Sequence, residues 1–419
     1  MLIHYSFFTE TEKKNFSTQE KEIIKLLYLW RKKSPHTKLP KPIIDTVLRS
    51  AFPQKPSMVF GYRHAVYLKD GKAYVCGNNF HGQLSLGDTN NRIKPTELNI
   101  PEVIVSMSCG TRHTVLLTLP GNAYVCGNNF HGQLGLGNTY NRIEPTELKI
   151  PGELIVSVSC GDDHTVILTQ SGNAYVFGRN VHGQLGLGNT DNRSQPTELK
   201  ISGEVIVSAS CGGCHTVLLT QSGKAYVCGN NFHGQLGLGN TDNRSQPTEL
   251  KIPGEVIVSV SCGDNHTVIL TQSGKAYVCG SNFHGQLGLG NTDNRSQPTE
   301  LKIPGEIIVS VTCGDNHTVI LTQSGKAYVC GSNFYGQLGL GNTDNRSQPT
   351  KINTHGKHIV QIGAQYNHSY FLTVEREIFV CGANEDGQLG IENINNQKKL
   401  IMHPLSAQEN TITFTFKSK

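Results

Sequence analysis

The sequence predicts an all-β fold: a seven-bladed β-propeller of four-stranded antiparallel blades, preceded by a short helical segment. Three observations carry this expectation. The triplet Gly-Gln-Leu returns seven times, at Gly82, Gly132, Gly183, Gly234, Gly285, Gly336 and Gly387, at intervals of 50 or 51 residues. A period this strict marks one supersecondary unit copied along or around an axis. Each period holds four short runs of strand-forming residues separated by turn residues, which is the content of one blade. The 45 glycines and the modest 16% of charged residues suit short strands and tight turns rather than helices or charged tails.

Residues 1–56 form the first of two expected domains and carry eleven Lys/Arg against five Asp/Glu, a net +6 that leaves about −1 for residues 57–419. Ser17-Thr-Gln-Glu20 reads as a capping box, and Ile23, Ile24, Leu26, Leu27 and Trp30 follow at helical spacing. Arg31-Lys32-Lys33 falls in the last turn, where cations complement the helix dipole, and Ser34-Pro35 ends the helix. A second, shorter helix is expected over Pro42–Leu48. The pair is expected to cap the ring, and any contact with nucleic acid or anionic membrane would lie here.

The repeat unit is clearest in the fifth copy. Val256, Val258, Val260 and Cys262 alternate with Ile257, Ser259 and Ser261, the period of a half-buried strand. After the loop Gly263-Asp264-Asn265 comes a second strand, His266–Thr271, then the hairpin turn Ser273-Gly274 and a third strand, Ala276–Gly280. A long Gly-rich loop through Gly285-Gln286-Leu287 leads to a fourth, Pro-led strand over Pro298–Ile303, expected at a sheet edge. A lone blade cannot bury both faces, so the copies must stack. The first copy starts late, at Ser57-Met58-Val59-Phe60, and the alternation in Thr411–Phe416 predicts that the chain's C-terminal strand completes the first blade.

Eleven of the twelve cysteines recur at two fixed repeat positions, as Cys76 and Cys109 do in the first two copies. Thiols copied with a repeat read as small buried hydrophobes in a reducing compartment, cytoplasmic or nuclear. Cys211-Gly-Gly-Cys214, the sole C-x-x-C, has no second pair, so no metal site is expected. No basic-then-apolar leader and no run of about 20 apolar residues are visible. The chain has no P-loop, G-x-S-x-G or H-E-x-x-H constellation, and Gly237-Leu-Gly-Asn240 lacks the Lys and helix of a phosphate loop, so neither enzyme chemistry nor a cofactor is expected.

Every copy places a histidine at the start of its second strand: His64, His113, His164, His215, His266, His317 and His368. Seven equivalent positions on a ring cannot converge on one metal, so these read as structural hydrogen-bonding residues. The same reading applies to His81, His131, His182, His233 and His284 before the triplet, where the last two copies carry Tyr335 and Asp386. Variation concentrates in the two residues before the strand histidine. In blade order these are Tyr62-Arg63, Thr111-Arg112, Asp162-Asp163, Gly213-Cys214, Asp264-Asn265, Asp315-Asn316 and Tyr366-Asn367. Opening on one face, they predict a two-signed docking rim, with Arg63 and Arg112 facing Asp162, Asp163, Asp264 and Asp315, and with Tyr62 and Tyr366 between them.

The succession G-x-x-H-[TS], small-residue turn, Y-V-C/F-G and N-x-x-G-Q-L-G-L-G, present over residues 57–416, resembles the repeats of the regulator of chromosome condensation family. The resemblance implies a seven-bladed propeller. It also implies a protein partner, with a Ran-type small GTPase as the specific expectation, since the founding member is a guanine nucleotide exchange factor for Ran. In that exchange factor acidic residues of the G-x-x-H loops face the GTPase, positions held here by Asp162 and Asp163, with Asp264 and Asp315 as further candidates. The exchange factor also carries an inserted β-wedge, for which the even spacing leaves no room. Binding is therefore expected ahead of exchange. Other members act within ubiquitin ligases or as effectors delivered by intracellular bacteria, which implies a substrate-recruiting adaptor or delivery into a host cell as alternatives. Leu39-Pro40 with Ile43, Ile44, Val47 and Leu48 resembles the opening of an F-box, and Arg31–Lys41 resembles a nuclear localisation patch.

Overall fold

The computed structural model describes residues 56–119 and 121–406. The two expected N-terminal helices and the expected closing strand at 411–416 lie outside the described residues. Within them are seven four-stranded antiparallel sheets, each ordered first to fourth strand as in the chain. The first strands are Ser57–Phe60, Ile104–Cys109, Ile155–Cys160, Ile206–Cys211, Ile257–Cys262, Ile308–Cys313 and Ile359–Gln365. Each packs against the first strand of the next blade, and the seventh packs against the first, so these strands line the axis of a closed ring. Among the described residues no helix is long and apolar enough to cross a membrane.

Blade one is four-stranded with the short Ser57–Phe60 as its own first strand, paired Ser57↔Leu68 to Phe60↔Ala65. Closure uses side chains and loops of blade seven. Tyr67 Oη donates to the Leu405 carbonyl at 2.7 Å, Asn78 Nδ2 donates to Asp386 Oδ1 at 3.1 Å, and Phe60 stacks on His368 with ring centroids 4.8 Å apart.

The hydrophobic core is seven separate clusters, each buried between adjacent blades. Between blades five and six, Val268, Val278, Leu287 and Leu301 meet Ile308, Val311 and Ile320. The phase expected for the first strand holds only in its second half. Ile257 is buried while Val256 and Val258 are exposed, because a register shift between Ile257 and Ser259 inserts one residue and reverses the faces. The fourth strand of blade five begins at Arg295, three residues ahead of Pro298. Pro298 thus lies inside an outermost strand, the one place in a sheet where its missing N–H costs little.

The glycine of each Gly-Gln-Leu triplet has a physical cause. Gly234 has φ +81°, and a Cβ there would stand 2.5 Å from Ser296 Cα of the next blade. The other triplet glycines press in the same way on the next blade's fourth strand, and Gly387 closes the series against Ile93 of blade one. Blade contact, rather than the loop's own turn alone, forbids a side chain.

Candidate functional site

The strand-one-to-two loops and the long triplet loops emerge on the same face. Their common frame is a relay that crosses each blade boundary. His215 Nε2 lies 3.0 Å from Thr267 Oγ1, and Thr267 Oγ1 lies 2.8 Å from the Gln235 carbonyl. A carbonyl only accepts, so the threonine donates its single proton to Gln235 and the histidine must donate from Nε2. The same relay joins the other successive blades up to His317, Ser369 and Gln337. Burial pushes these imidazoles down to about 3 or 4, so they are neutral. The structural reading of the strand histidines holds.

The seventh boundary departs from this plan. Blade one offers Ala65 where the other blades offer a hydroxyl, and Gln365 stands where the other loops have glycine. The Gln365 side chain donates to the Cys109 carbonyl at 2.7 Å and accepts from the Phe60 amide at 3.2 Å. His368 turns its Nδ1 to the Gln365 carbonyl at 3.3 Å.

Around the axis the first variable residues form a collar. Amide N–H groups donate to the neighbouring carbonyl from Tyr62 to Thr111, Thr111 to Asp162, Asp162 to Gly213, Asp264 to Asp315 and Asp315 to Tyr366. Asp162, Asp264 and Asp315 are thereby drawn inward and half-buried beside the glycines of blades three to six. Tyr366 is buried, its hydroxyl 3.2 Å from both Asp162 Oδ1 and Thr111 Oγ1. Tyr62 meets the Tyr366 ring edge-on at 5.9 Å. Burial, then the neighbouring carboxylates, hold these acids up: Asp264 to about 7, with Asp162 also raised and Asp315 well above the usual range. Among the described residues no group of three or more His, Cys, Asp or Glu is arranged to hold a metal ion.

The second variable residues stand one step out. Asp163 accepts from Gln133 Nε2 at 3.2 Å and pairs with Arg179 at 3.8 Å. Asn265, Asn316 and Asn367 take the same glutamine donor from the preceding blade. Cys214 cannot, and the buried Gln184 Nε2 is left without a protein partner. Arg63 and Arg112 are exposed. Arg63 lies 5.6 Å over the Tyr62 ring and 3.4 Å from Asp386. The two signs expected on this face are therefore present in a different arrangement: an outer basic pair on blades one and two, and a recessed acidic centre from blades three, five and six.

Sequence reasoning passed over a third ring. Phe80, Phe130, Phe232, Phe283 and Phe334 stand on this face with 62 to 74% of their surface exposed, and Val181 takes the place in blade three. The signal was available: an apolar residue returns at one position of an otherwise polar, Gly-rich loop. All twelve cysteines are free thiols, and nine of them are buried, while Cys211, Cys214 and Cys262 are half-buried.

A closed ring of seven repeated four-stranded blades defines a repeat β-propeller. Residues 200–415 match the RCC1-like domain, and residues 70–117, 120–168 and 171–219 match the regulator of chromosome condensation (RCC1) repeat. The chain belongs to this family. It is 34% identical over 357 residues to the ultraviolet-B receptor UVR8 of Arabidopsis thaliana, covering 83% of this chain and 81% of that protein. It is 37% identical over 303 residues to the probable E3 ubiquitin-protein ligase HERC4 of Homo sapiens, across 70% of this chain but only 28% of that one. The crystal structure of Prp20p from Saccharomyces cerevisiae superposes with a TM-score of 0.70 at 21% identity, covering 81% of this chain and 86% of that one, a likeness of fold.

Proposed function

We propose that the chain is a docking propeller that binds a Ran-type small GTPase through the loop face, with Arg63 and Arg112 contributing the exposed charge. The observation that carries this reading is the contrast between scaffold and face. The triplets and strand histidines repeat in every copy, while the two residues before each strand histidine, all on one face, change from blade to blade. Support also comes from Prp20p, whose structure was determined together with its binding properties to Gsp1p and histones. A regulator or interaction role is common ground for the family; the GTPase is the specific step.

Binding without exchange is the expected mode. Exchange requires tighter binding to the nucleotide-free GTPase than to the loaded one, because coupling between two ligands is reciprocal. Every described blade has four strands and no inserted hairpin that could press on a nucleotide site. A rigid face of equal affinity for both states shifts neither.

The test is to measure binding of the full chain to GDP-loaded and nucleotide-free Ran, alongside release of a labelled nucleotide. Equal binding with an unchanged release rate is expected. No binding refutes the GTPase, and accelerated release refutes the absence of exchange. The kinship with HERC4 favours one second reading, that the face recruits substrate for a ubiquitin ligase. Capture of a cullin adaptor dependent on Leu39–Leu48 would favour it.

A further inference from the structure

On blades four to six the ring of exposed phenylalanines coincides with a second feature of the same loops. Asp242, Asp293 and Asp344 follow Phe232, Phe283 and Phe334 ten residues on in each loop. An asparagine clamps the two ends together. In blade four Asn231 Nδ2 donates to the Asp242 carbonyl at 3.0 Å, and the Asn231 amide donates to Asn243 Oδ1 at 2.8 Å. In blade six Asn333 makes the same bond to the Asp344 carbonyl at 3.1 Å.

The charge that a partner meets here is negative. Each aspartate has an arginine of its own loop at about 4 Å, but the two side chains are not equally presented. Asp242 is 74% exposed while Arg244 is 29% exposed, its guanidinium turned onto the loop carbonyls of Asp242 and Asn243. Blades five and six repeat this inequality.

The phenylalanines are exposed without being loose. Phe232 meets His182 of the preceding blade edge-to-face at 5.8 Å, and Phe283 and Phe334 meet His233 and His284 at 5.6 Å. A fixed, solvated aromatic ring repeated at blade spacing is a feature of interaction surfaces. Isolated acids would suit any cation and isolated rings any apolar group. An exposed ring and an exposed carboxylate at the two clamped ends of one loop together suit a cation on an apolar stem, which is the side chain of arginine or lysine.

We propose that the arc over blades four to six docks an arginine- or lysine-rich segment of a protein partner, one cationic side chain per phenylalanine–aspartate unit. The carboxylates repel phosphates, which disfavours nucleic acid on this arc. The other blades lack the complete unit: blades one and two have Asn90 and Tyr140 in the aspartate position, blade three has Val181 in the phenylalanine position, and blade seven has Glu385 and Asn395. This proposal rests on the reading that the loop face docks a protein, and it names the chemistry of what is docked.

The test titrates the full chain against fluorescein-labelled nona-arginine and nona-glutamate peptides by fluorescence anisotropy. Binding of nona-arginine alone is expected. D242N/D293N/D344N should weaken it about tenfold or more. F232L/F283L/F334L, which keeps apolar bulk but removes the π face, should weaken it by a similar factor. These side chains are exposed, and matching melting curves verify that the variants fold. No binding of nona-arginine, binding unchanged in either triple variant, or a preference for a DNA duplex over the peptide overturns the proposal. The two readings separate cleanly. A GTPase that binds while nona-arginine does not leaves the docking reading standing and removes this one. Peptide binding that depends on both triple sets, without any GTPase binding, keeps the docking face and this proposal and removes the GTPase.

Discussion

Thr267→Val is the substitution that most directly weighs the relay between blades. Thr267, His215 and Gln235 are all fully buried, and valine has nearly the shape of threonine, so the change removes a hydroxyl without opening a cavity. Two groups lose a partner. The Gln235 carbonyl keeps a weak donor, the Cys279 thiol at 3.5 Å, so its loss is partial. The His215 N–H has no substitute and is left buried and unsatisfied, at about 1–3 kcal/mol. With the weakened carbonyl the expected destabilisation is about 2–4 kcal/mol. Equilibrium urea denaturation followed by circular dichroism should show it as a lower midpoint at an unchanged slope. Thr267→Ser is the internal control. The chain already uses serine in this role, with His317 Nε2 2.8 Å from Ser369 Oγ and Ser369 Oγ 2.8 Å from the Gln337 carbonyl. The serine variant should therefore lose no more than about 1 kcal/mol, the scale of one or two methyl contacts. A valine variant within about 0.5 kcal/mol of the parent, or a serine variant as unstable as the valine one, would refute the relay as a source of stability.

Three further outcomes follow from the same geometry. Gly234→Ala forces a Cβ onto Ser296 Cα at a backbone angle that L-residues disfavour, and should cost about 2–4 kcal/mol in the same denaturation measurement. Asp264 has its folded pKa raised from 3.8 to about 7, so the folded state holds the proton more tightly than the unfolded chain. Its effect on stability is therefore unfavourable above that window and fades as pH falls from about 7 toward 3.8. Asp264→Asn should gain stability relative to the parent as pH rises across this window, with no further change above it, as read by melting at a series of pH values. The buried thiols, for example Cys279 and Cys330 pushed up to about 12 by burial, should react with a thiol reagent at pH 8 at least about a hundredfold more slowly in the native chain than in denaturant.

The number of blades and their four-strand composition were legible because a strict period and alternating strands leave few architectures. The histidines were legible as structural for the same reason: a residue repeated at every blade cannot mark one site. What the sequence hid was mostly relation between copies. His215 and Thr267 are 52 residues apart, and no local pattern says that one hydrogen-bonds to the other. The phase of the first strand was misread at Val256 and Val258 because a bulge at Ile257 is invisible to a two-residue alternation. The aspartates were expected on a rim, since loop residues are normally displayed outward. The collar of backbone hydrogen bonds turns Asp162, Asp264 and Asp315 toward the axis instead. The phenylalanine ring stands next to the histidine and the glycine triplet, and its recurrence in a polar loop is a pattern in its own right.

The most direct test of docking through the loop face is the association rate of Ran with the full chain, measured by stopped-flow fluorescence at low salt. R63E/R112E should change that rate by about tenfold, and the change should shrink as salt is raised, because exposed charges steer encounter. K251E/K302E, at the far ends of the outermost strands, should leave the rate within a factor of about two. Equal effects from the two charge reversals, or none from R63E/R112E, would contradict the assignment of this face.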